Sequence, residues 1–306
     1  MSGQPSATGH GYGLDVRPAS CEHPVLEVPL DGSESPTGPG LEFLGGDFDR
    51  EWWCAAGDEL TAIVLREPDD ADRDAAPTAE RIYSELIEKL HGSDFGYPLR
   101  LWNYFPAINV GDGDQERYRR FCIGRGRALS AARLDDAQMC AATAIGGDQP
   151  WMQVVALCGN SPGLSIENPR QVSAWNYPRQ YGPRQPAFAR ATAVRLADGG
   201  TGLLISGTAS VVGHATAHPD DAMAQTEEAA SNLDALLSHA AGATGDPGLA
   251  SFGSRSLARV YVRHAEDWPA IRERLHKRWP SLKLCGLRGD ICRSDLMVEI
   301  EAWHGT

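Results

Sequence analysis

Near its C-terminus the 306-residue chain reads DLMVEIE, in which Leu296, Val298 and Ile300 alternate with Asp295, Met297, Glu299 and Glu301. This is the period-two pattern of a strand with one dry face. The other face carries carboxylates, the side chains of general acid–base catalysis. Pattern alone does not choose among Asp295, Glu299 and Glu301. Groups suited to holding an anion are concentrated elsewhere. From Arg117 to Arg133 there are six arginines (Arg117, Arg119, Arg120, Arg125, Arg127, Arg133) and no acid. From Asn168 to Arg195 there are five more (Arg170, Arg179, Arg184, Arg190, Arg195), again without an acid. With only three lysines in the chain, arginine is the default cation, which explains the residue type but not the clustering. Guanidinium forks match carboxylates and phosphates, so at least one residue in each stretch is expected to bind an anion.

Other chemistries find no motif. There is no Walker A loop and no G-x-S-x-G elbow, and GGTG (199–202) belongs to a hairpin turn rather than a phosphate loop. His214 and His218 precede Asp220 and Asp221 at H-x3-H spacing. Without a third ligand at a diagnostic spacing they read as a polar loop entering a helix, and no metal or other cofactor is expected. Seven cysteines, an odd number with no CxxC pair, argue against a disulfide framework or zinc site and for a reducing cytoplasm. The net charge of -13 disfavours nucleic acid and anionic membranes as partners. No apolar run approaches the ~18 residues of a membrane span. The first twenty residues lack the basic start and apolar stretch of a secretory signal. The expectation is a soluble cytoplasmic protein, monomer or small homo-oligomer, acting on a small anionic molecule.

The elements that must position these groups fall into two rounds. In the first, LTAIVLRE (60–67) is a strand, and 78–92 is a helix with Thr78 as N-cap and Gly92 as stop. LRLWNYF (99–105) is a strand, Asp112 or Asp114 caps a helix running to about Leu134, and strands follow near 139–145 and 151–158. In the second, 188–196 and 201–213 form a hairpin, 219–242 is a long amphipathic helix, and 257–264 is a strand. A helix at 267–279 with Pro in its first turn and the last two strands complete it. This predicts an α+β fold of two related units, each a sheet with helices on one face. The expected divisions are a flexible 1–46, an N-terminal unit 47–162, a substrate-binding connection 163–187 and a C-terminal unit 188–306. The connecting stretch 163–191 is rich in proline, aromatics and arginine, the content of a binding loop rather than a spacer.

Four segments in order, RYRRFCIGRGRAL, IENPRQVSAWNYPRQYGPRQPAFARAT, ISGTASVVGH and DICRSDLMVEIE, resemble the chorismatase family, enzymes that cleave chorismate and include 3-hydroxybenzoate synthases. The resemblance runs from about Leu60 to the end. The C-terminal half also looks like the reactive-intermediate deaminase (YjgF-like) fold on which chorismatases are built. The resemblance implies that Glu299 is the catalytic carboxylate and that substrate is contacted by Tyr118 with Arg125 and by Tyr177 with Arg190. Both pairs lie in the acid-free arginine stretches. It further implies that Cys292 and Gly207 mark the branch forming 3-hydroxybenzoate and pyruvate rather than a dihydrodiol acid and pyruvate. Asp295 and Glu301 are then expected on a solvated face. Competing readings are an imine/enamine deaminase, which leaves the 163–191 stretch without a role, and a non-catalytic binder of small anions.

Overall fold

The computed structural model describes residues 60–196 and 199–305, preceded by four strands: β1 (Val16–Pro18), β2 (Pro24–Pro29), β3 (Phe43–Gly46) and β4 (Arg50–Cys54). The first round comprises β5 (Leu60–Pro68), α1 (Ala75–Leu90), β6 (Tyr97–Pro106), α2 (Arg117–Ala131), β7 (Ala141–Gly147) and β8 (Trp151–Gly159). A short β9 (Leu164–Ile166) and an irregular stretch lead to β10 (Ala191–Arg195) and β11 (Thr201–Ala209). Then come the ribbon β12 (Val211–Val212) and β13 (Ala215–Thr216), α3 (Ala222–Thr244), β14 (Leu257–Val262), α4 (Trp268–Arg278), β15 (Lys283–Arg288), β16 (Asp290–Ile291) and β17 (Val298–Gly305).

Two sheets carry the architecture, ordered β16-β7-β6-β8-β5 and β3-β15-β14-β17-β11-β10-β9. Within them the order β7-β6-β8-β5 of the first unit is repeated as β15-β14-β17-β11 in the second. Parallel pairing also recurs at the matching place, β6 with β7 and β14 with β15, each pair joined through a helix. The α+β fold of two related units is therefore present strand for strand.

The packing follows from the strand period. In the first unit Leu101, Phe105, Met152, Val154 and Ala156 face α1 and α2; in the second Val260, Val262, Val298, Ile300 and Ala302 face α3 and α4. The alternate residues, Val64, Trp102, Tyr104, Val155 and Leu157 from one sheet and Leu204, Tyr261, Cys285, Leu287 and Trp303 from the other, form a single middle layer. The molecule is thus helices, sheet, sheet, helices. Each buried aliphatic in these layers contributes on the order of 1.5–3 kcal/mol, and any polar group among them must find partners.

This layering corrects the expected solvated face of the last strand. Every residue of β17 is buried, because helices cover one face and the opposing sheet covers the other; Glu301 has no exposed surface. The strand also begins at Val298 rather than Asp295, and Leu296 packs into the middle layer instead of continuing the helix-facing row.

Helix ends shift for local reasons. Asp74, whose carboxyl accepts the Ala76 N–H, caps α1 four residues ahead of the expected cap Thr78, since Pro77 is tolerated in a first turn whose N–H groups are unpaired anyway. The helix α2 starts after Glu116, beyond both expected caps. Asp221 caps α3, which closes on Gly245 in the left-handed conformation. Of the 1–46 stretch expected to be flexible, β1, β2 and β3 are described, and β3 pairs with β15 at the edge of the second sheet; the rest lies outside the described residues. Among the described residues no helix is long and apolar enough to cross a membrane.

Candidate active site

A cavity of about 420 Å³ opens at one end of the middle layer, where four segments meet. The N-cap and first turn of α2 supply Glu116, Tyr118 and Arg119; the 163–191 stretch supplies Tyr177, Tyr181, Phe188 and Arg190 among others; β11 supplies Gly207; the approach to β17 supplies Cys292 and Arg293; and β17 itself supplies Glu299. Six of the seven residues expected from the sequence therefore line one cavity. Arg125 is not among the lining residues.

Glu299 is 5% exposed, and no hydrogen bond to its carboxyl is found among the described residues. Burial, and next to it the neighbouring Glu301 carboxylate, push its pKa up to about 8 against the pull of Arg100 and Arg190. Near neutral pH it is mostly a carboxylic acid, a proton donor facing a cavity. Glu301, two residues on, has the opposite surroundings. Its Oε2 accepts from Arg100 and from the Thr143 hydroxyl, both at 2.5 Å. Its Oε1 accepts from Trp102 at 3.0 Å, Tyr261 at 2.9 Å and Arg259 at 3.3 Å. Five donors saturate it, which leaves it a structural group. The choice that pattern alone left open is made by partners.

Partners also sort the arginines. Of those in the acid-free stretches, Arg117 pairs with Asp69, Arg119 with Glu116, Arg120 with Asp74, Arg127 with Glu80, Arg170 with Glu228, Arg179 with Asp114 and Arg184 with Asp136. Clustering in sequence thus overstated the positive field, because the balancing acids come from other segments. Arg125 and Arg190 differ: both are buried and neither forms a salt bridge among the described residues. Arg190 donates through Nη2 to the Tyr177 hydroxyl and the Val172 carbonyl, both at 2.8 Å, and lies 5.0 Å from the Phe188 ring centroid. Its Nε has no partner among the described residues. Arg125 lies 5.2 Å from the Phe121 ring and 5.9 Å from the Tyr83 ring, with Nη2 unpartnered among the described residues. Unsatisfied buried donors are costly, and an anionic ligand is the natural acceptor.

Tyr118 shares α2 with Arg125, two turns apart, and burial pushes its phenol pKa well up, so it stays a neutral donor. Cys292 is partly buried and in the electrostatic range of Glu299; burial, reinforced by that carboxyl, raises its thiol pKa, so it is a neutral, polarisable wall rather than a thiolate. Gly207 has a steric reason. A Cβ there would stand 2.0 Å from Glu299 Oε1, so only glycine lets the carboxyl lie against the β11 backbone.

Several cavity residues escaped the sequence reading. Arg293, directly after Cys292, stacks 4.0 Å from the Tyr181 ring centroid and donates to Thr216 at 3.1 Å. Tyr181 meets His214 at 3.3 Å, so that histidine is engaged with the cavity wall; His218 instead pairs with Glu228. Arg293 and Tyr181 lay within stretches already marked by composition. Thr143 and Arg100 sit in ordinary strand sequence, and no sequence signal points to them.

Comparison with known proteins follows the same lines. Residues 47–158 match the family model described as chorismatase FkbO/Hyg5-like, N-terminal. A 3-hydroxybenzoate synthase of Streptomyces hygroscopicus is 38% identical, over 95% of this chain and 85% of its own. A chorismatase of Streptomyces rapamycinicus is 37% identical, over 84% of this chain and 77% of its own. A chorismatase crystal structure superposes with a TM-score of 0.71 at 32% identity, covering 83% of this chain and 76% of the other.

Proposed function

The chain belongs to the chorismatase family, and from that premise we propose that it cleaves the enolpyruvyl ether of chorismate to pyruvate and 3-hydroxybenzoate, with Glu299 as acid–base residue. The observation that carries this reading is the Glu299 carboxyl: buried, unpartnered among the described residues and held largely neutral at the cavity wall. An enol ether is inert until its methylene carbon is protonated, which yields an oxocarbenium ion. A carboxylic acid kept protonated near neutral pH supplies that proton, and the carboxylate it leaves can take a proton back later in the cycle.

Chorismate is a dianion, with one carboxylate on the ring and one on the enolpyruvyl group. Arg190, braced by Tyr177 and stacked on Phe188, is the reading's first clamp. Arg125, whose Nη2 has no partner among the described residues, and the Tyr118 hydroxyl form the second; binding there requires the ligand to reach past the present lining. Gly207 and Cys292 border the Glu299 carboxyl and are the positions assigned to product choice. A bare Gly207 leaves Glu299 lying against the β11 backbone, and the neutral thiol adds no charge to the developing cation's surroundings.

Incubation of the purified protein with chorismate, with pyruvate measured by a coupled assay and the ring product by chromatography, tests the proposal. Pyruvate with 3-hydroxybenzoate is the expected outcome. Pyruvate with a dihydroxycyclohexadiene carboxylate would move the chain to the hydrolytic branch, and the absence of pyruvate would overturn the reading.

A further inference from the structure

We propose that Thr143, on β7 of the first unit, is a positioning residue for Glu299: its hydroxyl fixes the β11 bulge against which the Glu299 carboxyl lies. The proposal rests on the reading of Glu299 as the acid–base residue.

The pairing register defines the bulge. Ile205 stands opposite Ala302 and Thr208 opposite Ile300, so Ser206 and Gly207 together oppose Glu301. Two residues against one is a β-bulge, and it removes backbone groups from the ladder. Their partners come from outside it. The Ser206 N–H donates to the Arg190 carbonyl at 3.0 Å, while the Gly207 N–H donates to Thr143 Oγ1 at 2.9 Å. Glu299 Oε1 lies 2.0 Å from where a Gly207 Cβ would stand, so the backbone that Thr143 holds forms the floor under the carboxyl.

The hydroxyl has no freedom to drift. It donates to Glu301 Oε2 at 2.5 Å and accepts from Gly207 and from the Arg100 guanidinium, which uses its proton and both lone pairs. Glu301 is itself pinned by donors from both sheets. The contact therefore transmits the docking of the two sheets to the bulge of one of them. Displacing an acid by about 1 Å from its productive place costs up to ~100-fold in rate without altering ground-state binding.

Thr143→Val keeps the branched shape and deletes the hydroxyl; Thr143→Ser keeps the hydroxyl. With chorismate as substrate, T143V is expected to lose ~10–100-fold in kcat at unchanged KM, and T143S to recover most of it. Wild-type kcat in T143V, a loss confined to KM, or T143S as impaired as T143V would each overturn the proposal. So would failure of both T143V and T143A to give a cooperative melt, which would make the contact purely structural. Glu299→Gln is the reference: if E299Q turns over normally the reading of Glu299 fails, whereas a silent E299Q beside a fully active T143V defeats only the role of Thr143.

Discussion

The middle layer between the two sheets has a closed centre and an open end, and the last strand places one glutamate in each. In the centre, Glu301 meets Arg100, Arg259, Trp102, Tyr261 and Thr143. At the open end, Glu299 meets a cavity, Gly207 and Cys292, with Arg190 within electrostatic reach. Side chain, strand and strand face are the same, so what separates them is the supply of donors. Removal from water stabilises the neutral acid of Glu299, where donors are missing, while five donors satisfy the hydrogen-bonding capacity of Glu301. The first unit supplies a control: its equivalent strand β8 turns Gln153, Val155 and Leu157 toward the same layer, with no carboxylate. The repeated fold therefore provides two sheets and one layer, but the carboxyl without a hydrogen-bond partner among the described residues stands on only one of them.

The sharpest break of this comparison is Glu299→Gln against Glu301→Gln. The first is expected to lower turnover by ~10²–10⁴-fold while retaining chorismate binding, read as pyruvate release and calorimetric titration. The second removes the carboxylate from the buried Arg100–Glu301 pair, for a loss of roughly 3–5 kcal/mol in a denaturant titration. If E301Q were as stable as the wild type, the closed centre would not be an ion-pair site.

Glu299 should also make stability depend on pH. Glu299 has a folded-state pKa raised from 4.5 to about 8, so the folded protein holds a proton that the unfolded chain releases. The stabilisation is complete below about pH 4.5 and is lost as pH rises through about 8. Glutamine does not titrate, so E299Q should become more stable than the wild type by on the order of 3 kcal/mol near neutral pH, the advantage vanishing near pH 4. Melts across that range check it, and an advantage independent of pH would refute it. Wild-type turnover should fall tenfold per unit above about pH 8, as the acid form is depleted. The smallest effect concerns the proposed clamp. Tyr177→Phe removes a 2.8 Å bond to Arg190, worth about 1.5–3 kcal/mol for a charged donor, and should raise KM roughly tenfold or more with kcat nearly intact.

Much of the fold was legible because both units obey strand and helix periods closely. The repeated order of elements was readable and is present as a repeated strand order. Less legible were boundaries set by caps, such as Asp74 in place of Thr78, since several polar residues near a helix start compete and packing selects one. At the site, Tyr177 and Arg190 stood in a stretch whose composition already marked it. Seven of the other arginines of the two stretches misled, because Asp69, Asp74, Glu80, Asp114, Glu116, Asp136 and Glu228 neutralise them. Sequence shows which charges are neighbours along the chain, not which are neighbours in space.

The sequence by itself determined an acidic α+β chain of two related units, a last strand with alternating carboxylates, and four motifs resembling the chorismatase family. Tertiary structure decided that the carboxylate face is buried rather than wet, because a second sheet lies over it. It also decided which glutamate is satisfied and which is left protonated at a cavity. Period-two alternation reports only that a strand has two different faces. What covers each face, and how many donors arrive with it, depends on residues such as Arg100 and Thr143, ~160–200 positions distant along the chain, and their approach is fixed only when the sheets dock.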